Sequence, residues 1–312
     1  MIPSICHFIW LGKEFQWPSL LALRSAAIRG EFDAIILHHE GHLSTPEIQK
    51  LQKSFPNIET WPLDLDQLFG SMGTMGSNLL NIYNRLDHHA ARANLLRLLI
   101  LYQYGGVYLD IDTITIASLQ SLLHSSGVFC GNERIIFPIT VVESTNPVTG
   151  VVSALRVGFR ELMRRITKGW KIFRLVEHFY PLAVNNAILG AEKEHPFIWQ
   201  LLQNIETMPP QKQQARYALG VHLLQKGIAN NDRKDVVVYP PEFFFPLGPE
   251  ISEHYFKIYS GADIRKVQYP TTRIIHWYAS VRTRDLIPTI DENYIREHAH
   301  HQLFSALASE FL

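Results

Sequence analysis

Short apolar runs alternate with longer amphipathic stretches through the first half of the chain, and each run ends at a turn or capping residue. Residues 2–12 read as a first strand, opened by Pro3 and closed by Gly12. Residues 18–30 read as a helix and residues 33–38 as a second strand. Thr45-Pro46-Glu47 then opens a helix by the N-cap and first-turn proline rule. A third short strand is expected over 58–63, and an uncharged loop over 70–76, rich in Gly, Ser and Met. Strand, helix, strand, helix, strand predicts a parallel sheet with crossover helices. In such sheets ligands gather at the carboxyl ends of the strands.

The most informative stretch runs from residue 90 to residue 113. Ala, Leu and Arg from Ala90 to Arg97 favour helix, with Asp87 expected as N-cap. Gly105-Gly106 supplies the left-handed residue that ends a helix and turns the chain. The strand expected next places Tyr108, Asp110 and Asp112 on one face, with Leu109 and Ile111 on the other. Two carboxylates about 7 Å apart at a strand end form a hard oxygen site. That site suits Mn²⁺ or Mg²⁺ better than zinc. Alone, an Asp-X-Asp is usually a solvated strand end. Here it follows an almost wholly apolar run, where two unpaired charges are costly unless something binds them. Asn94 and Arg97, three residues apart on the preceding helix, can face a common ligand.

This run resembles the central motif of glycosyltransferases with a sugar-binding Asp-X-Asp region. That group includes mannosyltransferases of eukaryotic secretory compartments and the catalytic domains of clostridial glucosylating toxins. The match falls on Leu95, Leu96, Arg97, Tyr104, Gly105, Gly106, Tyr108, Leu109, Asp110 and Asp112. It departs at Ala93-Asn94, where the family has Ser-Asp, the Asp binding donor-sugar hydroxyls; an amide there can both donate and accept. The opening strand is similar too, so Ile9 and Trp10 are expected at the donor site, with Trp10 stacking on the nucleobase. Residues 185–189 and the following His195-Pro196-Phe197 resemble another family element, making Asn186 a candidate for contacting sugar hydroxyls. The proline-aromatic stretch 236–246 resembles the element that packs behind the site. In the last matching segment, His276 is a candidate third metal ligand and Ser280 a candidate phosphate contact, while Val281 replaces a family Trp.

The resemblance implies one α/β domain over residues 1–312, GT-A-like and nucleotide-sugar-binding, with a mixed, mainly parallel sheet flanked by helices. Helical additions are expected around 150–230 and a terminal helix over 291–312. It implies a metal-dependent hexosyltransferase, mostly retaining, that uses a UDP- or GDP-hexose and Mn²⁺ (or Mg²⁺). The acceptor would be a hydroxyl of a glycan, lipid or protein. Asp110 and Asp112, with His276, would hold the metal, and Asp110 would also meet the ribose. Arg97 would stabilise the charge developing on the leaving group, and Asn94 and Asn186 would orient the sugar. Two other readings stay open at this point: a degenerate nucleotide-sugar binder, and a metal-dependent phosphohydrolase using the same Asp pair.

The remaining chain adds less. Residues 149–179 predict one long helix or two joined at Gly169, and residues 129–132 and 134–137 read as strands. Seven cations from Arg156 to Arg174 face Glu161 alone, with Trp170 among them. This basic stretch, 156–174, offers a peripheral contact with an anionic membrane or a plain solvated helix face. His38, His39 and His42 are expected to be exposed rather than metal-bound. With 29 acidic and 29 basic residues, global charge gives no reason to expect a nucleic-acid partner. Cys6 and Cys130, both in apolar surroundings, read as reduced core thiols. No secretory signal or run of eighteen apolar residues is read, so a cytoplasmic enzyme, at most peripheral to a membrane, is expected.

Overall fold

A computed structural model describes residues 1–312 except 13, 42, 44, 125, 126 and 231–233. The first half builds β1 (Ile5–Trp10), α1 (Trp17–Arg29), β2 (Ala34–His39), α2 (Pro46–Ser54), β3 (Ile58–Pro62), α3 (Leu65–Gly70) and α4 (Gly73–Arg85). It continues with α5 (His89–Tyr104), β4 (Gly106–Leu109), β5 (Thr113–Thr115), α6 (Gln120–Leu123), β6 (Val128–Arg134) and α7 (Ile139–Val142). Then come α8 (Pro147–Arg165), α9 (Gly169–Val176), β7 (Leu182–Ala191), α10 (Pro196–Glu206), α11 (Pro210–Gln213) and α12 (Leu223–Ala229). The chain closes through β8 (Val236–Tyr239), β9 (Ile274–His276), α13 (Glu292–His298) and α14 (Leu303–Ala308).

Seven strands form one sheet in the order β3-β2-β1-β4-β7-β6-β8. Only β7 runs against its neighbours, pairing antiparallel with β4 and β6; the other pairs are parallel. This is the mixed, mainly parallel α/β architecture expected from the sequence. The segment expected as helical additions, about 150–230, also supplies β7 to the middle of the sheet. Alternation along β1 shows how the strand divides the core: Ile9 joins the layer under α4, α5 and α10, while Cys6 and Phe8 join the layer under α1 and α2. A third cluster gathers Trp170, Phe173, Trp277 and the C-terminal helices. Both cysteines are free and buried.

Chain order runs β1-β2-β3 to one side of β1 and then returns to place β4 on the other. The carboxyl ends of β1 and β4 therefore flank the point where strand order reverses, the usual ligand crevice of an open α/β sheet. The small antiparallel pair β5–β9 sits beside it, with Thr113 opposite His276.

Several local expectations are corrected. Residues 70–76 are the end of α3 and the start of α4, not a loop. Gly76 is required there, because a Cβ would lie 1.8 Å from the Phe69 carbonyl oxygen. His88, not Asp87, precedes α5, and its side chain makes no cap bond. β6 ends at Arg134, and the terminal helix is two short helices. His38 and His39 are buried, because β2 is an interior strand and His38 bonds His7; His42 lies outside the described residues. Trp170, read among the cations of the basic stretch, is 3% exposed. Around it Arg160 and Arg164 turn inward to Glu250, and Arg174 caps the Lys266 and Val267 carbonyls. Among the described residues no helix is long and apolar enough to cross a membrane.

Candidate active site

Helix α5 is the ruler of the site. It ends at Gly105, whose φ of 67° and ψ of −165° belong to a region open only to glycine, and whose N–H caps Leu101. Gly106 follows with φ 98°, and a Cβ on it would lie 2.4 Å from the Ile5 carbonyl oxygen. The two glycines thus let β4 start directly against β1. β4 stops at Leu109, so Asp110 and Asp112 lie in the tight turn to β5 and not on one strand face. The turn keeps them together: Asp110 N–H donates to the Ala187 carbonyl of β7, and Thr113 Oγ1 donates to the Asp110 carbonyl at 2.8 Å.

Each carboxylate has its own partners. Asp110 Oδ1 accepts from Arg97 at 3.0 Å and from Tyr108 Oη at 2.7 Å. Asp112 Oδ1 pairs with His276 Nε2 at 2.9 Å, and its Oδ2 accepts from the Ala279 N–H at 2.9 Å. Burial raises the Asp110 carboxyl against the pull of Arg97. Burial acts the same way on Asp112, but the His276 charge and hydrogen bonds outweigh it and hold the group below the usual carboxylate range. Burial opposes charge on His276 as well, and Asp112 overcomes it and raises the imidazole. One donor atom from each of Asp110, Asp112 and His276 lies within 4.8 Å of the others. Two carboxylates and an imidazole at that separation fit a hard divalent ion such as Mn²⁺ or Mg²⁺.

Arg97 is 5% exposed and binds three parts of the site. Besides Asp110, it donates to the Asn186 carbonyl and lies over the Tyr108 ring, 4.3 Å from the centroid. On the next turn of α5, Asn94 Oδ1 accepts from Asn186 Nδ2 at 2.9 Å. Asn186 lies on the central strand β7, which carries it to the pair. The backbone of Gly220 closes on both amides, where a Cβ would lie 2.8–2.9 Å from them.

The other expected residues are more scattered. Ile9 is buried in the core under β1. Trp10 is half-buried at the end of β1, edge-on to Phe15 with centroids 5.0 Å apart, and its Nε1 has no partner among the described residues. Ser280 is exposed in the turn after Ala279, next to the Asp112 contact. Two functional neighbours were not read from sequence. Tyr278 has φ 57°, unusual for a bulky residue, and this bend presents the Ala279 N–H to Asp112. Its hydroxyl donates to Glu133 Oε2 at 2.8 Å, and Glu133 is 7% exposed, its carboxyl raised by burial. Between Asn132 and Arg134, Glu133 carries no local sequence sign of burial.

Residues 32–129 match a family model described as a glycosyltransferase sugar-binding region containing a DXD motif. The match is to this segment and not to the chain as a whole. The sugar-binding region covers β2 through the start of β6 and includes α5, Asp110 and Asp112. Glucan organizing enzyme 1 of Cryptococcus neoformans is 29% identical over 134 residues, 40% of this chain and 32% of the relative. Rat lactosylceramide 4-alpha-galactosyltransferase is 30% identical over 80 residues, 25% of this chain and 22% of the relative. The chain thus aligns with about a third or less of either relative. Among solved structures, mouse xyloside xylosyltransferase 1 is 13% identical with a TM-score of 0.47, covering 88% of this chain and 98% of that one.

Proposed function

We propose that this chain is a metal-dependent glycosyltransferase that moves a hexosyl group from a UDP- or GDP-hexose to a hydroxyl on a glycan, lipid or protein acceptor. The observation that carries this reading is the Asp110–Asp112–His276 cluster beside Arg97, whose two aspartates and arginine lie in the segment that matches a sugar-binding family model. Asp110, Asp112 and His276 would hold Mn²⁺ or Mg²⁺. When bound, the ion supplies Lewis-acid neutralisation of the diphosphate leaving group. Arg97 adds charge-assisted hydrogen bonds to the same developing charge. Asn94 and Asn186 orient the sugar, Trp10 lines the base end with the backbone of Ile9 behind it, and Ser280 meets a phosphate. The bond from the anomeric carbon to the diphosphate breaks, its electrons pass to the phosphate oxygen, and the acceptor oxygen bonds to that carbon. The acceptor proton leaves with the departing phosphate. Retention by front-face attack suits a site whose carboxylates are already engaged: Glu133 is buried on Tyr278, and Asp110 is held by Arg97.

The phosphohydrolase reading has less support, because the described residues hold only one cluster of three such ligands. A degenerate binder keeps one argument, the amide at Asn94. A thermal-shift panel of UDP- and GDP-hexoses, with and without Mn²⁺, separates them. The transferase reading expects one donor to stabilise the wild type only with metal, Asp112→Ala to abolish that shift, and slow nucleotide release to follow. Stabilisation with no release, with acceptors added, would favour the binder. No response to any nucleotide would overturn the reading.

A further inference from the structure

Fifteen large apolar side chains are exposed among the described residues, and eleven of them lie between residues 137 and 182. α8 is the spine of this surface. Val148, Val151, Leu155 and Leu162 are 54–69% exposed, and Ile166 follows them at 39%. At about 100° per residue these five positions fall within an arc of roughly 60° on one side of the helix. The opposite side is the one that packs. Ser153 and Met163 are buried, and Arg160 and Arg164 bond inward to Glu250. Asn146 caps the first turn through the Val148 N–H. With both its cap and its inward ion pairs made, α8 is fixed with an apolar row outward, the reverse of an ordinary surface helix. α9 packs against it through Phe159 and Phe173 and adds Leu175, 73% exposed, with Phe179 close behind at 64%. A concentration of this kind marks an interaction surface.

Its charge says what kind. Arg165, Lys168 and Lys171 are exposed at the end of the row, and no carboxylate pairs with them among the described residues. Lys168 reaches the Ser260 carbonyl and lies over the Tyr259 ring, and Lys171 lies over the Trp170 ring. Of the seven cations in residues 137–182, Arg160 and Arg164 are paired with Glu161, Glu250 and Glu253, so Arg165, Lys168 and Lys171 set the charge at the end of the row. A second copy of this chain, docking two-fold through the same face, would set these cations against themselves. An anionic bilayer complements both features, taking the apolar row into the acyl boundary and the cations at the headgroups.

We propose that the outward face of α8, with Leu175 and Phe179, seats the protein on an anionic membrane surface. This goes beyond the transferase reading and is measured with no sugar nucleotide present, so either can fail alone. The test is flotation of the purified chain with phosphatidylcholine vesicles, with and without phosphatidylserine. The wild type is expected to float with the anionic vesicles. Leu155→Ser with Leu162→Ser is expected to lower that partition by about tenfold or more. Arg165→Gln and Lys171→Gln are expected to lower it about fivefold each. All four positions are exposed, and unchanged thermal melts would show the variants folded. Three outcomes would overturn the proposal: no flotation with anionic vesicles, flotation indifferent to phosphatidylserine, or flotation unaffected by the leucine pair. A concentration-dependent dimer in light scattering, abolished by Leu155→Glu with Leu162→Glu, would make a second copy the occupant and overturn it too.

Discussion

At the scale of residues, the site depends on side chains around the Asp110–Asp112–His276 cluster as well as on the cluster itself. Tyr278 bends the chain in the left-handed region so that the Ala279 N–H reaches Asp112, and its hydroxyl satisfies the buried Glu133. Tyr278→Phe removes one of that carboxylate's two side-chain donors and leaves Asn185 alone on it. The change is expected to lower stability by roughly 1–3 kcal/mol in urea unfolding and to weaken Mn²⁺ binding in calorimetry. Unchanged values in both would mean that the contact is incidental. Asn94 gives a second prediction. A carboxylate at this position would still accept from Asn186 but could no longer donate, so Asn94→Asp is expected to fold normally and to change the preference among donor hexoses in a competition assay. An identical preference would remove Asn94 from sugar selection. A third concerns acid. His7 Nε2–H donates to the Gly105 carbonyl at 3.0 Å, and its Nδ1 accepts from His38 at 3.0 Å, so both rings are held neutral. Burial lowers His7 to about 4 and pushes His38 down as well. The unfolded chain therefore binds more protons than the folded one between pH 6.5 and about 4, and stability falls as pH drops through that window. His7 alone accounts for about 3 kcal/mol by its lower end. Melting temperatures from about pH 7 to about pH 4.5 should fall steeply for the wild type and less so for His7→Gln; equal slopes would refute the assignment.

At the scale of elements, the glycines show what the sequence made legible and what it hid. α5, its glycine stop and the Asp pair were readable because every signal is local: helix propensity, a left-handed stop, an apolar run. Gly106→Ala tests that reading. With φ at 98° and a Cβ 2.4 Å from the β1 backbone, the alanine is expected to lower stability by roughly 3 kcal/mol or more in urea unfolding. A loss under about 1 kcal/mol would mean that β4 does not need this approach. Residues 70–76 were misread because glycine signals both flexibility and close packing, and only the crossing of α3 on α4 distinguishes them. The placement of Asp110 and Asp112 in a turn was hidden for a related reason. β4 ends where the Asp110 N–H donates to the Ala187 carbonyl of β7, a contact between segments far apart in the chain.

At the scale of the whole molecule, a reversed central strand and the late strand β9, paired antiparallel with β5, draw Arg97, Asp110, Asp112, Asn186 and His276 to one end of the sheet. The sequence pointed to the strand ends as the ligand crevice, since parallel strands with crossover helices have that property in general. It could not show β7 running antiparallel, nor the Glu133–Tyr278 contact, because both depend on pairings between distant segments. His38 and His39 were misplaced for the same reason, since their burial comes from strands on either side. The basic stretch after residue 156 was legible in composition but not in direction, for several of its cations face inward and the row left outward is apolar.

The most direct test of the transferase account is nucleotide release from the donor that the thermal-shift panel selects, measured with Mn²⁺ and again with excess chelator. The account predicts release by the wild type only with the metal, and a loss of at least about a hundredfold in both Asp112→Asn and His276→Gln. Release that persists with chelator, or survives both substitutions, would contradict it.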